Sequence, residues 1–176
     1  MRVAYQGAAG AFGHQACLAF LPDCEPVPQP SFEAVIAAVE SGEAERGLLP
    51  LDNNCAGATG ALELLQESAL EIVAEHVLPV RMHLLGVAGG RLEDVRTVVS
   101  HPVALKQCAR TLEELGLVTE EAPNTALAAQ RLSVRHRAVL ASEAAAEAYG
   151  LTILRRDVHD RPDNATRFAV LARKGT

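Results

Sequence analysis

Residues 47–54 read GLLPLDNN, a pattern that indicates the fold class. Its five small or apolar residues predict a short buried strand, and the Asp-Asn-Asn that follows predicts a polar turn. Upstream, Ser31 precedes apolar residues at helical spacing, which predicts an N-cap and a helix through Val39. Downstream, residues 61–66 predict a further helix. A buried strand between two helices is typical of α/β proteins.

The same alternation extends in both directions along the chain. Further strands are predicted at residues 2–5, 83–88, 95–99, 117–119, 138–141, 151–154 and 166–171. Further helices are predicted at residues 12–21, 102–115, 125–132 and 142–149. A long extended run is predicted at 70–80, and four prolines between residues 22 and 30 predict an irregular connection. Together these elements predict α/β sheets with largely parallel strands.

Two crossings with polar flanks, at residues 75–81 and 157–166, divide this pattern. The first crossing leaves one lobe and the second returns to it. We therefore expect two α/β lobes, with residues 1–77 and 164–176 in lobe 1 and residues 78–163 in lobe 2. A small ligand is expected in the cleft between the lobes.

The composition excludes several classes of function. The 176 residues include 16 basic and 22 acidic side chains, which give a formal net charge of −6 and disfavour nucleic-acid binding. Only six aromatic residues are present, which disfavours a base-stacking platform. The sequence shows neither a leader pattern nor an apolar run of about 18 residues, so we expect no membrane span, a cytoplasmic location and reduced cysteines.

The short motifs assign no reaction when they are taken by themselves. Residues 7–13 read GAAGAFG, which is neither a dinucleotide-binding fingerprint nor a phosphate-binding loop. The six histidines are scattered, so no metal site is predicted. Polar residues follow several predicted strands, where they are N-caps or line an anion-binding edge of the sheet. The residues alone therefore predict a two-lobed α/β binder of a small anion.

Six ordered motifs nevertheless resemble the catalytic domain of prephenate dehydratase over nearly the whole chain. They are VAYQGAAGAFGHQA at 3–16, GLLPLDNN at 47–54 with Gly57, SHP at 100–102 with Leu105, Gln107 and Cys108, NTA at 124–126 with Ala128 and Ala129, AS at 141–142 with Ala144, Ala145 and YGL at 149–151, and Asp160 and Asn164 with TRF at 166–168. The resemblance implies a two-lobed, periplasmic-binding-protein-like (type II) fold with the active site in the cleft between the lobes. It also implies conversion of prephenate to phenylpyruvate in phenylalanine biosynthesis, without a metal or cofactor.

The resemblance implies site residues as well. The catalytic positions are Thr166, Asn53, Ser100 and Gln107. A threonine is a weak acid, so Thr166 is expected to hydrogen-bond the leaving hydroxyl group rather than to protonate it fully. The expected substrate-binding residues are Gly10, Ala11, Phe12, Asp52, Asn54, His101, Asn124, Thr125, Arg167 and Phe168. Arg167 follows Thr166 on one strand and so points to the opposite face, where it pairs with an acid of its lobe or touches substrate.

The sequence departs from the family pattern at four positions. Ala11 and Gly13 stand where the family has Thr and Ser, while Asp52 replaces a Glu and Asn54 replaces a Ser. Two hydroxyl donors are thus missing, so arogenate as the substrate, decarboxylation without dehydration, and a non-catalytic binder of small carboxylates stay open.

The family likeness also predicts assembly and control. It implies a homodimer. The sequence ends directly after the last predicted strand. We therefore expect neither the phenylalanine-sensing regulatory domain that the family usually carries nor a fused chorismate mutase.

Overall fold

The computed structural model describes residues 1–175, which form two compact units. The first unit comprises residues 1–8, residues 12–80 and the described residues from Ala165 onward. The second comprises Ala9–Ala11 and Arg81–Asn164. Each unit is an α/β body built around its own sheet. The expected lobe boundaries and the ligand cleft between the lobes stay predictions.

The strands and helices alternate along much of the chain. The strands are β1 (Arg2–Gln6), β2 (Glu25–Gln29), β3 (Arg46–Asn53), β4 (Gly57–Ala58), β5 (Leu70–Pro79), β6 (His83–Gly86), β7 (Thr97–Ser100), β8 (Val118–Glu121), β9 (Arg137–Ala141), β10 (Thr152–Arg155) and β11 (Ala165–Arg173). The helices are α1 (Phe12–Phe20), α2 (Phe32–Glu40), α3 (Ala61–Gln66), α4 (Pro102–Gln107), α5 (Ala109–Glu114), α6 (Thr125–Gln130) and α7 (Glu143–Tyr149), with one 3-10 turn at Leu92–Asp94. None of the helices among residues 1–175 is both long and apolar enough to cross a membrane.

The first unit is a sheet in the order β2-β1-β3-β11-β5, with β4 beside β3. Strand β1 runs parallel to β2 and β3, whereas β11 runs antiparallel to both β3 and β5. Helix α1 covers the face that carries Tyr5 and Phe168, and α2 covers the face that carries Leu49 and Leu171. The central strands β1, β3 and β11 are therefore buried on both faces by apolar contacts, which leaves their ends as the places for polar side chains.

The second unit is a sheet in the order β10-β6-β9-β7-β8. Strand β7 runs parallel to β8 and β9, and β6 runs antiparallel to β9 and β10. Helices α6 and α7 pack on this sheet through Ala129, Ala145 and Ala146, whose small side chains let helix and sheet approach closely. The alanine-rich sequence of these helices thus has a packing role.

The expectation of largely parallel sheets is wrong, because both sheets are mixed. In the first unit the last strand, β11, is inserted antiparallel between β3 and β5. Periodicity along the sequence identifies strands but carries no information about the direction of their partners.

The expectation of an irregular connection at the prolines is also wrong. Glu25–Gln29 forms β2, which pairs in parallel with β1 and contains Pro26 and Pro28. Proline has no N–H to donate, but β2 is an edge strand of its sheet, so missing donors on its outer side break no hydrogen bond within the sheet. The same prolines protect this edge from pairing with another strand.

The single helix expected over residues 102–115 is broken into α4 and α5 at Cys108. The Asp160 N–H donates to the Gln107 carbonyl oxygen at 2.7 Å, and the Asp160 carboxylate accepts the Arg110 N–H. A residue distant in sequence therefore occupies the backbone groups that a continuous helix uses itself.

Candidate functional site

Asn53 and Thr166 form a directed hydrogen bond in the first unit. They lie opposite each other on β3 and β11, and the Asn53 Nδ2 donates to the Thr166 Oγ1 at 2.9 Å. The Asn53 Oδ1 accepts the N–H groups of Cys55 at 2.8 Å and of Ala56 at 2.9 Å. Because Oδ1 is the acceptor for two backbone donors, the amide has one satisfactory orientation, with its NH₂ group toward Thr166.

This geometry makes Thr166 a hydrogen-bond donor. Its oxygen accepts from Asn53, so its own O–H hydrogen is left for a different acceptor. The Thr166 side chain is only 9% exposed, and such burial strengthens any hydrogen bond that this hydroxyl donates. Thr166 and Asn53, both predicted catalytic residues, are therefore brought together by strand register.

Asn54 holds the beginning of β11 next to this pair. Its Oδ1 accepts the Ala165 N–H at 2.9 Å, while its own N–H donates to the Ala165 carbonyl oxygen at 3.1 Å. Asn54 was predicted to bind substrate, and the structure shows it fixing the residue before Thr166. Its contact with substrate stays a prediction.

Asp52 and Arg167 lie on the opposite face of the same two strands. The Arg167 Nε donates to the Asp52 Oδ2 at 2.9 Å, and its Nη1 donates to the Glu75 Oε2 at 2.9 Å. These two carboxylates raise the pKa of the Arg167 guanidinium above its ordinary value. Sequence reasoning expected Arg167 either to pair with an acid or to touch substrate, and the pairing is confirmed. Substrate contact by Asp52 and Arg167 stays a prediction.

Phe168 is the next residue of β11 on the face that carries Thr166. It is 2% exposed and packs with Phe20 at a ring-centroid distance of 6.4 Å within the core beneath α1. The structure therefore gives Phe168, which was predicted to bind substrate, a packing role that supports β11.

In the second unit, Ser100 ends β7 with a fully buried hydroxyl. Its Oγ donates to the Leu140 carbonyl oxygen at 3.1 Å and lies 3.5 Å from the Thr125 Oγ1. Since its hydrogen is used on the backbone of β9, Ser100 can act on a further group only as an acceptor. Ser100 and Thr125 are thus brought together at adjoining strand ends.

His101 and Asn124 are helix caps. The His101 Nδ1 accepts the Val103 N–H at 3.2 Å at the start of α4, and the Asn124 Oδ1 accepts the Leu127 N–H at 3.0 Å at the start of α6. Sequence reasoning offered capping and ligand binding as alternatives for strand-end residues. The capping interpretation is confirmed for both side chains.

The turn that includes Gly10 is seated on helix α7. Gly10 has φ +81°, and an added Cβ would lie 2.5 Å from the Ala145 Cα, so only glycine fits. The Ser142 Oγ donates to the Gly10 carbonyl oxygen at 2.5 Å, and the Tyr149 hydroxyl donates to the Ala9 carbonyl oxygen at 2.6 Å. Two side chains and one close approach therefore fix Ala9–Ala11.

The residues after this turn explain one departure from the family pattern. Phe12 begins α1, and a Cβ at Gly13 would lie 3.1 Å from the Gln6 carbonyl oxygen and 3.2 Å from the Tyr5 ring. The Tyr5 ring in turn stacks on His14 at a centroid distance of 5.6 Å. A serine at position 13 requires Tyr5 to shift, so Gly13 fits the packing of this chain.

Cysteine and metal chemistry have little support in the described residues. Cys17 and Cys108 are buried core residues, and burial raises the pKa of each thiol to about 12. Both are therefore protonated near neutral pH and are poor nucleophiles. Among residues 1–175, no three His, Cys, Asp or Glu side chains are grouped so that they could hold a metal ion.

Sequence reasoning missed the supporting roles of Tyr149, Asp160 and Glu75. Tyr149 was read as the end of a helix, and Asp160 was named only as part of a motif. The Tyr149 hydroxyl contacts the backbone of Ala9, and the Asp160 N–H contacts the backbone of Gln107. Glu75 contacts the Arg167 guanidinium. All three partners lie far away in sequence. Periodicity gives no signal for such contacts.

Comparison with known proteins identifies relatives for the whole chain. The family model described as prephenate dehydratase matches residues 3–176. Arogenate dehydratase/prephenate dehydratase 2, chloroplastic, of Arabidopsis thaliana is 43% identical over 178 residues, which cover 99% of this chain and 47% of that protein. The solved structure of GqqA, described as a novel type of quorum quenching acylase, is 38% identical with a TM-score of 0.93 and covers 100% of this chain and 65% of its own.

A more distant likeness concerns the fold alone. A periplasmic substrate-binding protein of an ABC transporter from Coxiella burnetii superposes with a TM-score of 0.52 at 11% identity, covering 99% of this chain and 85% of that one. The expected resemblance to periplasmic binding proteins is therefore confirmed.

The chain spans about half the length of the curated plant relatives it matches. From the family match over nearly its entire length, the chain belongs to the prephenate dehydratase family.

Proposed function

We propose that this chain catalyses the decarboxylative dehydration of prephenate to phenylpyruvate, a lyase reaction of phenylalanine biosynthesis. The observation that carries the proposal is the Asn53–Thr166 hydrogen bond, in which the amide orientation leaves the threonine as a donor. Family membership supplies the reaction class, and this pair supplies a group suited to its difficult step.

The reaction needs a donor at the leaving oxygen. In prephenate the bond from the ring to its carboxylate breaks, and the electron pair moves into the ring as carbon dioxide departs. The bond from the ring to the hydroxyl oxygen breaks at the opposite ring carbon, and the hydroxide leaves as water after it gains one proton. Aromatisation drives the change, so the protein has to stabilise the negative charge that grows on the departing oxygen.

Thr166 is proposed to donate its O–H hydrogen to that oxygen. A hydroxyl of ordinary acidity does not transfer its proton fully, so it stabilises the developing charge by a hydrogen bond and a proton from solvent completes the water. The Asn53 NH₂ group polarises the Thr166 hydroxyl by donating to its oxygen, which makes the O–H a stronger donor.

Substrate carboxylates need donors of their own. We propose that backbone N–H groups around Gly10, Ala11 and Phe12 bind one carboxylate, because the turn is held rigidly by Ser142 and Tyr149 and leads into the nine-residue helix α1. This arrangement does not need the hydroxyl groups that the family usually has at positions 11 and 13. Ser100 and Gln107 are proposed as the catalytic residues of the second unit.

Arogenate is the second candidate substrate. The Arabidopsis relative at 43% identity is named for both arogenate and prephenate. The two substrates differ only in the side chain, which carries an amino group in arogenate and a keto group in prephenate. The ring chemistry proposed for Thr166 is the same for both substrates, so the Asn53–Thr166 hydrogen bond does not distinguish prephenate from arogenate.

One comparison of rates tests the proposal. The purified protein is given prephenate or arogenate under identical conditions, and phenylpyruvate or phenylalanine is measured against the spontaneous reaction. An N-acyl amide is assayed in parallel because GqqA is described as an acylase. We expect turnover of prephenate at least about 10⁴-fold above the spontaneous rate. Turnover of arogenate alone would assign the second substrate, and folded protein that binds prephenate but turns over neither substrate would establish a non-catalytic binder.

A location, an assembly state and classes of partner are proposed as well, and the assembly state comes from the family likeness. We propose a cytoplasmic homodimer that binds a small-molecule substrate and neither nucleic acid nor membrane. Light scattering during size-exclusion chromatography measures the assembly state, and a monomer at micromolar concentration contradicts the dimer.

A further inference from the structure

Two histidines of the second unit accept hydrogen bonds from each other's neighbouring backbone. The His83 Nδ1 accepts the Asp157 N–H at 3.0 Å, and the His159 Nδ1 accepts the Met82 N–H at 3.4 Å. Between them, the Val158 N–H donates to the Met82 carbonyl oxygen at 2.9 Å. We call this arrangement of Met82, His83, Asp157, Val158 and His159 the histidine clasp.

The histidine clasp anchors an otherwise irregular segment. Residues 157–164 contain no helix or strand, and most of them are at least partly exposed. Val158 is the exception among the clasp's loop residues, with 1% of its surface exposed. Asp157 has φ +51°, a left-handed conformation that aspartate adopts more readily than most residues other than glycine and that its contacts stabilise. The bond to His83 is one such contact.

Asp160, which follows His159 in this segment, fixes the backbone of Gln107. The Asp160 N–H donates to the Gln107 carbonyl oxygen at 2.7 Å, directly at the break between α4 and α5. The two Asp160 carboxylate oxygens each lie 3.2 Å from the backbone nitrogen of Arg110 and accept its N–H. Movement of residues 157–160 therefore moves the main chain from which the Gln107 side chain extends.

We propose that His83 and His159 are positioning residues for Gln107, acting as Nδ1 acceptors that hold residues 157–160 in place. The inference rests on the proposed function, in which Gln107 is a catalytic residue. A proton on the His83 Nδ1 turns this acceptor into a donor, so the bond from the Asp157 N–H is lost. The protonated ring then faces the Asp157 Oδ1, which lies 4.0 Å from the Nδ1, and the backbone at Asp157 has to move for the two to meet.

The surroundings of His83 keep it neutral near pH 7. It is 3% exposed, and burial is the largest cause that lowers its pKa below the ordinary value of 6.5. Four titratable side chains also act on it: Asp157 and Glu143, which raise the pKa, and Arg156 and His159, which lower it. Asp157 and Glu143 are themselves close to cations, at 3.9 Å from Arg81 and 2.9 Å from Arg156.

The sign of the pH effect follows from this lowered pKa. The unfolded chain binds the His83 proton more readily than the folded chain does, so the contribution of neutral His83 is complete above about pH 6.5. It is lost as the pH falls from there toward the lowered pKa of the folded state. The His83 bond of the histidine clasp is therefore expected to be closed at neutral pH and to open in acid.

A matched pair of amide variants tests the inference. In His83→Asn the Oδ1 takes a place close to that of the histidine Nδ1, accepts the Asp157 N–H and cannot be protonated. In His83→Gln the amide reaches further along the side chain and no longer offers an acceptor at the Nδ1 position. His159→Asn and His159→Gln form the same pair for the Met82 N–H.

The first measurement is hydrogen-exchange protection of the Asp157 and Met82 N–H groups by NMR between pH 5 and pH 8. In the unmodified protein we expect Asp157 protection to fall at least about tenfold in acid. His83→Asn keeps that protection throughout, and His83→Gln lacks it throughout. Equal protection in the two variants, or pH-independent protection in the unmodified protein, overturns the inference. If His83→Gln does not fold, the pH series of the unmodified protein and the His159 pair decide the question.

The second measurement is the pH profile of prephenate turnover. We expect kcat to fall in parallel with Asp157 protection, to be restored in acid by His83→Asn, and to be about tenfold lower at neutral pH in His83→Gln with little change in KM. Unchanged kcat in a folded His83→Gln protein contradicts a positioning role. If the protection data agree but no protein turns over prephenate, the proposed function fails and only the hydrogen-bonded clasp remains.

Discussion

The two faces of the β3–β11 ladder carry polar pairs of opposite character. On one face, Asn53 and Thr166 are neutral and joined by one directed hydrogen bond, and Thr166 is 9% exposed. On the other face, Asp52, Glu75 and Arg167 form ion pairs whose side chains are each about 40% exposed. Neighbouring residues on the same strands thus differ in their electrostatic surroundings, because a buried donor stabilises charge strongly while exposed ion pairs are screened by water.

The largest effect is expected from Thr166→Val, which keeps the shape of the side chain and removes its hydroxyl. Loss of one preorganised donor to a developing oxyanion lowers kcat about 10²- to 10³-fold. Steady-state formation of phenylpyruvate measures this effect. Thr166→Ser is the matched control, since it keeps the hydroxyl and is expected to stay within about tenfold of the unmodified protein. Equal activity of the Val and Ser variants contradicts the role of the hydroxyl.

A smaller effect is expected from Asn53→Asp, which reverses the direction of the hydrogen bond. The aspartate keeps an acceptor for the Cys55 and Ala56 N–H groups but no longer donates, so Thr166 turns its O–H hydrogen toward position 53. We expect kcat to fall about ten- to a hundredfold in a protein whose unfolding midpoint in urea changes little. Full activity shows that the direction of this bond does not matter.

The charged face is expected to respond weakly. Arg167→Met removes both ion pairs while retaining an apolar stem, and kcat is expected to stay within about threefold because the partly exposed pairs contribute little. Asp52→Asn tests the same face from the other strand. A loss of tenfold or more in either variant, with the fold intact, indicates that this face contacts substrate after all.

The smallest effect concerns salt. Raising the ionic strength to about 1 M shortens the screening length to about 3 Å, so any difference in urea midpoint between Arg167→Met and the unmodified protein shrinks. The corresponding comparison for Thr166→Val is unaffected, because its hydrogen bond joins neutral groups. A salt-independent difference at Arg167 assigns that residue a packing role.

Local sequence predicts much of the fold and the chemical types at the site. The helix over Ala61–Gln66, the N-cap at Ser31 and the helix that ends at Tyr149 follow from periodicity and capping chemistry, which act within a few residues. The opposite directions of Thr166 and Arg167 follow from strand alternation alone.

The rest depends on contacts between distant parts of the chain. The break at Cys108 comes from Asp160, the position of the Gly10 turn comes from Ser142 and Tyr149, and the role of His83 comes from Asp157. In each case a backbone N–H or carbonyl group is satisfied by a remote residue, and no periodic pattern records such a partner. The expected strand directions were wrong for the same reason, because the partner of a strand also lies far away in sequence.

The two neighbours on β11 are expected to differ in function, with Thr166 acting on the leaving hydroxyl and Arg167 making only exposed ion pairs. The most direct test is the kcat for prephenate of Thr166→Val and Arg167→Met, measured side by side on proteins shown to be folded. We expect the first variant to lose at least about 30 times more activity than the second, given the loss expected for a transition-state donor. Comparable losses, or a greater loss at Arg167, would contradict it.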